Sequence, residues 1–527
     1  MHIMKRRILY SLLITATLGL SSCESFLSEN PKDQITEEQA YQNSTLLYLN
    51  TVASLYTQVG ANGGGAGLQG TDRGLYDLNT FTTDEAMLPT RGGDWYDGGL
   101  WQNLFLHNWG TKNDLVKGSW DYLYKVIAQT NQSLDKLKEI LENNPENISV
   151  PKYISEVRAF RAMYYYYLLD MFARVPLVTS SSVAMEDVVQ SERSAVFNFV
   201  RTELEESVED LSDAHSNLTG EYYGRITKPV AYFLLAKLAL NAEVYADDNW
   251  TDGTKLDGKN IKFTVDGTEM NAWEATIAYC DKIAGLGYKL EPKFESNFSL
   301  KNEFYNLIRS RHYNHGNAYG QGGWNGSSAT KEALDAFGYG TSSQDPRFEL
   351  TYYAGKVEGP NGTIKLDDGT DLEYVPSEIT LDLSGKASEK TAGARMKKYE
   401  LDASATNDGK LQSNDIVLFR YADVLLMKSE AKVRNGGNGD AELTEVRERA
   451  GATLDVTATL ETLLEERLRE FAWEGLRRQD LVRFGKFTRA YTDRPQLPKE
   501  ETGYTTVFPI HEDVLSLNGK LTQNYGY

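Results

Sequence analysis

The chain is short of the residues that do most metal and covalent chemistry. Of its 527 residues only two are cysteines, Cys23 and Cys280, and only six are histidines. Two thiols allow one disulfide at most, and none once either is modified, so a chain this long must hold itself together by packing. No HExxH, GxSxG or CxxC pattern occurs. His312 and His315 lie three apart, but the Asn and Gly residues around them read as a loop and no third ligand is evident, so no metal site is assigned. Positive charge is also scarce: 55 Lys and Arg against 75 Asp and Glu leave a formal charge of −20. Such a surface repels phosphate backbones, which argues against nucleic acid as a partner. A long apolar run is missing too. The stretch from Ile8 to Leu20 falls short of the about 20 residues that cross a bilayer.

That short run is informative by its setting. Lys5, Arg6 and Arg7 precede it, and Leu20-Ser21-Ser22-Cys23 follows. This is the order of a secretory signal, with a thiol where the mature chain would begin. In bacteria it resembles a lipoprotein signal, in which residues 1–22 are removed and Cys23 is acylated. Removal would take the formal charge to −23, because residues 1–22 hold three basic and no acidic side chains. Several acyl chains anchor firmly, at about 0.8 kcal/mol per buried methylene, where one holds only marginally. An ordinary secreted protein with a chance cysteine is the alternative.

Helical periodicity dominates what remains. Amphipathic stretches cover 36–59, 113–142, 151–173, 192–212, 228–246, 272–285, 328–337, 414–434 and 459–486. Thr36-Glu37-Glu38-Gln39 reads as a capping box. Strand patterns are few and lie mostly in 345–400, where Gly359-Pro360-Asn361-Gly362 and Asp367-Asp368-Gly369 punctuate short runs such as Ile379-Thr380-Leu381. Alanines recur among large residues in Ala159–Tyr167, Ala231–Leu240 and Tyr421–Ala431. That texture lets helices approach closely, as in tetratricopeptide pairs, although no fixed 34-residue period survives. The predicted fold is mainly α: an irregular tetratricopeptide-like helical-repeat scaffold with long inserted loops and a few short β-hairpins. In 459–486 the stripe Leu460, Leu464, Leu468, Phe471 and Leu476 reads as core, with Glu and Arg forming salt-linked faces, so these carboxylates are structural.

Four ordered stretches carry a family resemblance. They are Cys23 with Phe26-Leu27 and Pro31; Glu156-Val157-Arg158-Ala159-Phe160-Arg161-Ala162 with Tyr164–Tyr167 and Val175-Pro176-Leu177-Val178; Arg225-Ile226-Thr227-Lys228; and a C-terminal set. That last set runs from Phe419-Arg420-Tyr421-Ala422-Asp423 through Glu465–Arg478 and Asp480–Gly485 to Phe508-Pro509-Ile510 and Gln523–Tyr527. Together they resemble the SusD/RagB family of starch-utilisation outer-membrane lipoproteins of Bacteroidetes. The departures are 247–330 and 350–410. On this resemblance, 23–35 is a lipid-proximal linker and 36–527 one SusD-like domain. Its parts are an N-terminal repeat half (36–246), a variable insert (247–410) and a C-terminal signature half (411–527).

The resemblance implies a cell-surface protein that captures an oligosaccharide or polysaccharide and delivers it to a TonB-dependent, SusC-like outer-membrane transporter. It implies no catalytic residue and no cofactor. It also implies a shallow glycan site built from loop aromatics. Two loops have that composition. Arg91-Gly92-Gly93-Asp94-Trp95-Tyr96-Asp97-Gly98-Gly99-Leu100-Trp101 is one, and Tyr313 to Asn325, with Tyr319 and Trp324, is the other. Glycine-rich surroundings give such rings little core to fill. An aromatic face suits the C–H face of a sugar, and Arg91, Asp94 and Asn325 suit its hydroxyls. A loop tryptophan can equally pin its own loop to the body, which is the expected role of Trp120 on its helix.

Other motifs give competing readings. Gly65-Ala66-Gly67-Leu68-Gln69-Gly70 fits GxGxxG but follows a helix rather than a strand, so it reads as a mobile surface loop and not a nucleotide site. Asp84-Glu85 and Asp97 could flank a glycosidic bond as acid and base, making the protein a surface hydrolase. The same scaffold could instead bind peptide or glycoprotein fragments.

Overall fold

The computed structural model describes residues 43–60, 66–69, 73–300, 303–306, 326–359, 362–366, 368–402, 404 and 412–527. The chain divides into two compact units, Met1–Asn50 and Thr51–Tyr527. In the first, helix Ser44–Tyr48 starts at Asn43, whose side chain accepts from the N–H groups of Thr45 and Leu46. Thr36–Gln39 and Cys23 lie outside the described residues.

The second unit contains the helices α1 (Leu75–Thr80), α2 (Leu100–Phe105), α3 (Asp114–Asn143), α4 (Val150–Phe172), α5 (Arg193–Ser207), α6 (Lys228–Leu240), α7 (Ala272–Gly285), α8 (Lys331–Ala336), α9 (Tyr421–Arg434), α10 (Asp440–Arg449), α11 (Leu460–Phe471) and α12 (Arg477–Arg483). Its short strands include β1 (Ala86–Met87), β2 (Lys262–Val265), β3 (Thr268–Asn271), β4 (Ser328–Ala329), β5 (Tyr352–Tyr353) and β6 (Arg395–Met396). Helix accounts for 48% of the chain and no barrel closes among the described residues.

Local chemistry explains the long helices. Asn113 caps α3 through the N–H groups of Leu115 and Val116, and the apolar stripe through Leu123, Ile127, Leu134 and Leu137 is buried. α4 opens with Pro151 in its first turn, where a missing N–H costs nothing. It buries residues on every side, from Ala159 to Phe172, because α3 packs on one flank and α5 on another. Trp120 is buried against Tyr124 and Phe172, the packing role its sequence suggests. In α6 the fully buried Ala231, Ala236 and Ala239 admit the close approach of neighbouring helices, and α7 packs heavily on it. α9 then contacts α7, α10 and α11. Successive helices thus stack in pairs, the irregular repeat that the alanine texture predicts.

Several boundaries differ from the sequence reading. The stretch 328–337 begins as β4 and turns helical only after Thr330, whose hydroxyl accepts from the Ala333 N–H. The stretch 459–486 is interrupted after Phe471 because Trp473 and Gly475 take left-handed φ values of 69° and 67°. α10 carries no strong apolar signal, burying only Leu443 and Val446 among its hydrophobic residues. The hairpin β2–β3 turns on Asp266-Gly267, both at positive φ, which is a type I′ signature. Ile379-Thr380-Leu381 forms no strand, although Leu381 accepts a backbone bond from Thr90. Within the Gly60–Gly74 loop, Gly67 and Leu68 are buried and Gln69 donates to the Glu474 carbonyl at 2.7 Å, so this part is packed against the body.

The charged C-terminal helices are structural, as expected, but their ion pairs are internal. Leu460 is 37% exposed, and Leu463, Leu468 and Phe471 form the buried stripe. Arg467 bridges Asp423 (2.6 Å) and Asp480 (2.8 Å), Arg483 pairs with Glu430 (2.8 Å), and Arg420 grips Glu470 (2.8 Å) and Glu474 (2.7 Å). Each is nearly fully buried, so removing one partner would strand a charge.

Candidate functional site

The strand pair β1–β4, with Ala86 opposite Ala329 and Met87 opposite Ser328, fixes where the first aromatic loop begins. Thr90 ties it further by exchanging backbone bonds with Leu381 (3.0 Å) and Leu383 (2.9 Å). Arg91 and Asp94 then exchange two bonds of 3.0 Å around Gly92-Gly93. Gly92 has φ +60°, and a Cβ there would stand 2.6 Å from Oε1 of Glu389. Trp95 (φ 62°) and Asp97 (φ 42°) are also left-handed, a conformation that costs free energy in residues with a Cβ. Gly98 and Gly99 complete the turn into α2.

Trp95 is half-buried, with its ring meeting Trp101 edge to face at 6.1 Å and 65°. Its benzo edge lies on the backbone of Gly326. Tyr96 is 58% exposed and Asp94 is exposed. Trp101 is buried, and its indole N–H donates to Asp97 Oδ2 at 2.8 Å. The same oxygen pairs with Arg73 at 2.8 Å, whose guanidinium sits 5.4 Å from the Trp101 ring centroid. Arg91 is buried and spent on the protein: it donates to the carbonyls of Glu389 (2.8 Å) and Ala392 (3.0 Å) and to Ser328 Oγ (2.9 Å). Burial, then the nearby Arg395, pulls its pKa down to about 8. Trp324, Asn325, Tyr319, Tyr313, His312 and His315 lie outside the described residues; in sequence, Trp324-Asn325 immediately precedes Gly326.

The loop is therefore a braced platform that presents Tyr96, Asp94 and part of Trp95 to solvent. Sequence reasoning missed the bracing residues Gln102, Gly326, Ser328 and Arg73. Gln102 donates to the carbonyl of Trp95 at 3.1 Å. None of the four was singled out by its sequence, although Gly326 directly follows the second aromatic loop.

Asp84 and Glu85 are both 1% exposed, whereas Asp97 is exposed, so the three share no accessible face. Asp84 accepts from Arg477 (2.7 and 2.9 Å) and Arg489 (2.6 Å). Burial works to raise its pKa, but these arginines hold it below the ordinary value. Glu85 accepts from the Trp473 N–H at 2.8 Å, and burial pushes its pKa up to about 8.

Two family models match the chain. One describes the SusD family and matches residues 291–527; the other describes starch binding in association with the outer membrane and matches 36–240. The starch-binding protein SusD of Bacteroides thetaiotaomicron is 24% identical over 588 aligned residues, covering 98% of each chain. Among solved structures, a laminarin-binding SusD-like protein superposes with a TM-score of 0.65 at 22% identity, over 92% of this chain and 100% of that one. Surface glycan-binding protein A of Bacteroides uniformis gives 0.66 at 18%, over 93% and 99%.

Proposed function

We propose, for a chain that belongs to the SusD family, that it is a cell-surface glycan-binding lipoprotein of the outer membrane and not an enzyme. The observation that carries this reading is the braced aromatic loop 91–101. Tyr96 and Trp95 offer ring faces to a pyranose, Asp94 offers a hydroxyl-binding carboxylate, and Arg91, Trp101 and Asp97 hold the loop in shape. Trp324 and Asn325 would join them from the second loop, with Tyr319 further along it. Relatives named for binding starch, laminarin or surface glycan support the ligand class.

Capture needs no chemistry, and a millimolar constant, about −4 kcal/mol, suits a ligand that must be handed on. The recipient in this reading is a TonB-dependent, SusC-like transporter, and the anchor is acylated Cys23. No described helix is long and apolar enough to cross a membrane.

The test is calorimetric titration of the chain lacking residues 1–23 against a broad polysaccharide and oligosaccharide panel, with mass spectrometry of the ligand afterwards. Saturable binding of intact ligand is expected. Cleaved ligand would make the protein a hydrolase. Silence across the panel with binding of peptides would move it to the peptide reading.

A further inference from the structure

The second unit also holds a cavity of about 720 Å³ that shares no lining residue with the loop 91–101. Met163 of α4, Phe233 of α6, Ile283 of α7 and Tyr421 of α9 contribute to its wall, with Ile416 from the segment before α9. The volume is that of a small-molecule site. The apolar side chains share the wall with polar ones, among them Gln69, Ser216 and Asn297.

One charged lining residue stands out by its pairing. The Arg449 side chain, at the C-terminal end of α10, is only 5% exposed. One terminal nitrogen pairs with Glu470, whereas Nε and Nη1 are buried with no hydrogen-bond partner among the described residues. Its single carboxylate is also over-subscribed, because Glu470 serves Arg347 (3.0 Å) and Arg420 (2.8 Å) as well. Of the other cations on the wall, Arg420 has Glu474 in addition (2.7 Å), Arg225 has Glu156 (2.6 Å), and Lys289 is exposed to solvent. Asp415, a carboxylate on the same wall, accepts from the Tyr223 hydroxyl at 3.0 Å. The wall therefore combines apolar patches with one buried, under-compensated guanidinium.

We propose that this cavity binds a small amphipathic anion, its apolar part against Phe233, Ile283 and Ile416 and its carboxylate or sulfonate paired with Arg449. The proposal is independent of the glycan reading. The test uses the full lipoprotein in lipid nanodiscs, with empty nanodiscs as the blank, titrated calorimetrically with octanoate and in parallel with 1-octanol. Octanoate should bind saturably at one site. Arg449→Met should weaken octanoate about tenfold while leaving octanol unchanged, the loss expected of one charge-assisted contact. Ile416→Trp, which crowds the apolar part of the wall, should weaken both ligands and carries the test if Arg449→Met fails to fold. Octanoate uptake no greater than the blank, equal affinity in Arg449→Met, or undiminished binding in Ile416→Trp would each overturn the proposal.

Discussion

The indole of Trp95 rests on Gly326 so closely that a Cβ at 326 would stand 2.8 Å from Cε2 and Cζ2 of Trp95 and 3.0 Å from Cδ2 of Leu88. Gly326 is not among the glycines with positive φ, so space and not backbone freedom demands glycine there. The contact joins one aromatic loop to the residue that ends the other. Gly326→Ala should therefore tilt Trp95 off its seat. Overpacking of this kind costs about 1–3 kcal/mol, so chemical denaturation should register a loss in that range, together with weaker glycan binding. Unchanged affinity would mean that the seat of Trp95 does not matter to the ligand.

Arg91 should behave as a clamp. Its guanidinium satisfies the carbonyls of Glu389 and Ala392 and the Ser328 hydroxyl, joining three segments far apart in sequence. Arg91→Met removes the donor to the Glu389 carbonyl, while Arg395 still donates to Ser328 Oγ and to the Ala392 carbonyl (2.7 Å), so a loss of about 1–2 kcal/mol is expected. A drop in the thermal midpoint is the expected readout, and a midpoint equal to that of the parent would show that the clamp is dispensable.

Buried carboxylates give stability an opposed pH dependence. Glu85, raised by burial to about 8, stays protonated in the folded state while its unfolded counterpart ionises near 4.5. The folded state then holds the extra proton, so its contribution falls as pH rises from about 4.5 to 8. Glu430 and Glu470 act the other way. Burial would raise them, but Arg483 and Arg434 around the first, and Arg420, Arg449 and Arg347 around the second, lower both to about 2. Their contribution is complete above pH 4.5 and is lost as pH falls toward 2. Glu85→Gln should remove the alkaline decline, on the order of a few kcal/mol between pH 5 and 8. Parallel stability curves for parent and variant across that window would refute the assignment.

Membrane attachment is separable from all of this. Cys23→Ala should shift the protein from the membrane fraction to the soluble fraction after cell breakage. Continued sedimentation with membranes would rule out the lipid anchor.

The scaffold was legible because its strongest signals are local. The alanine and tyrosine texture of α4 and the alanines of α6 are periodic within single helices, and periodicity survives without tertiary context. The break after Phe471 was not legible, because it depends on the Glu85 carboxylate, which receives the Trp473 N–H from nearly four hundred residues away in sequence. α10 escaped notice because charge dominates a helix that buries few apolar side chains. The Asp266-Gly267 hairpin could have been read and was not; its turn chemistry is local. At the site, aromatic and glycine composition marked the loop, yet the seat of Trp95 on Gly326 and the Arg91 clamp are long-range contacts with no sequence period.

The most direct test of the central claim compares glycan affinity in the parent, Trp95→Ala and Tyr96→Ala, using the panel member that binds best and following the ligand by mass spectrometry. Each ring face contributes about 0.5–1.5 kcal/mol beyond simple burial, so each variant should bind severalfold to about tenfold more weakly, with ligand intact and, for the exposed Tyr96, with thermal midpoint nearly unchanged. Full affinity in both variants would contradict a glycan site at this loop.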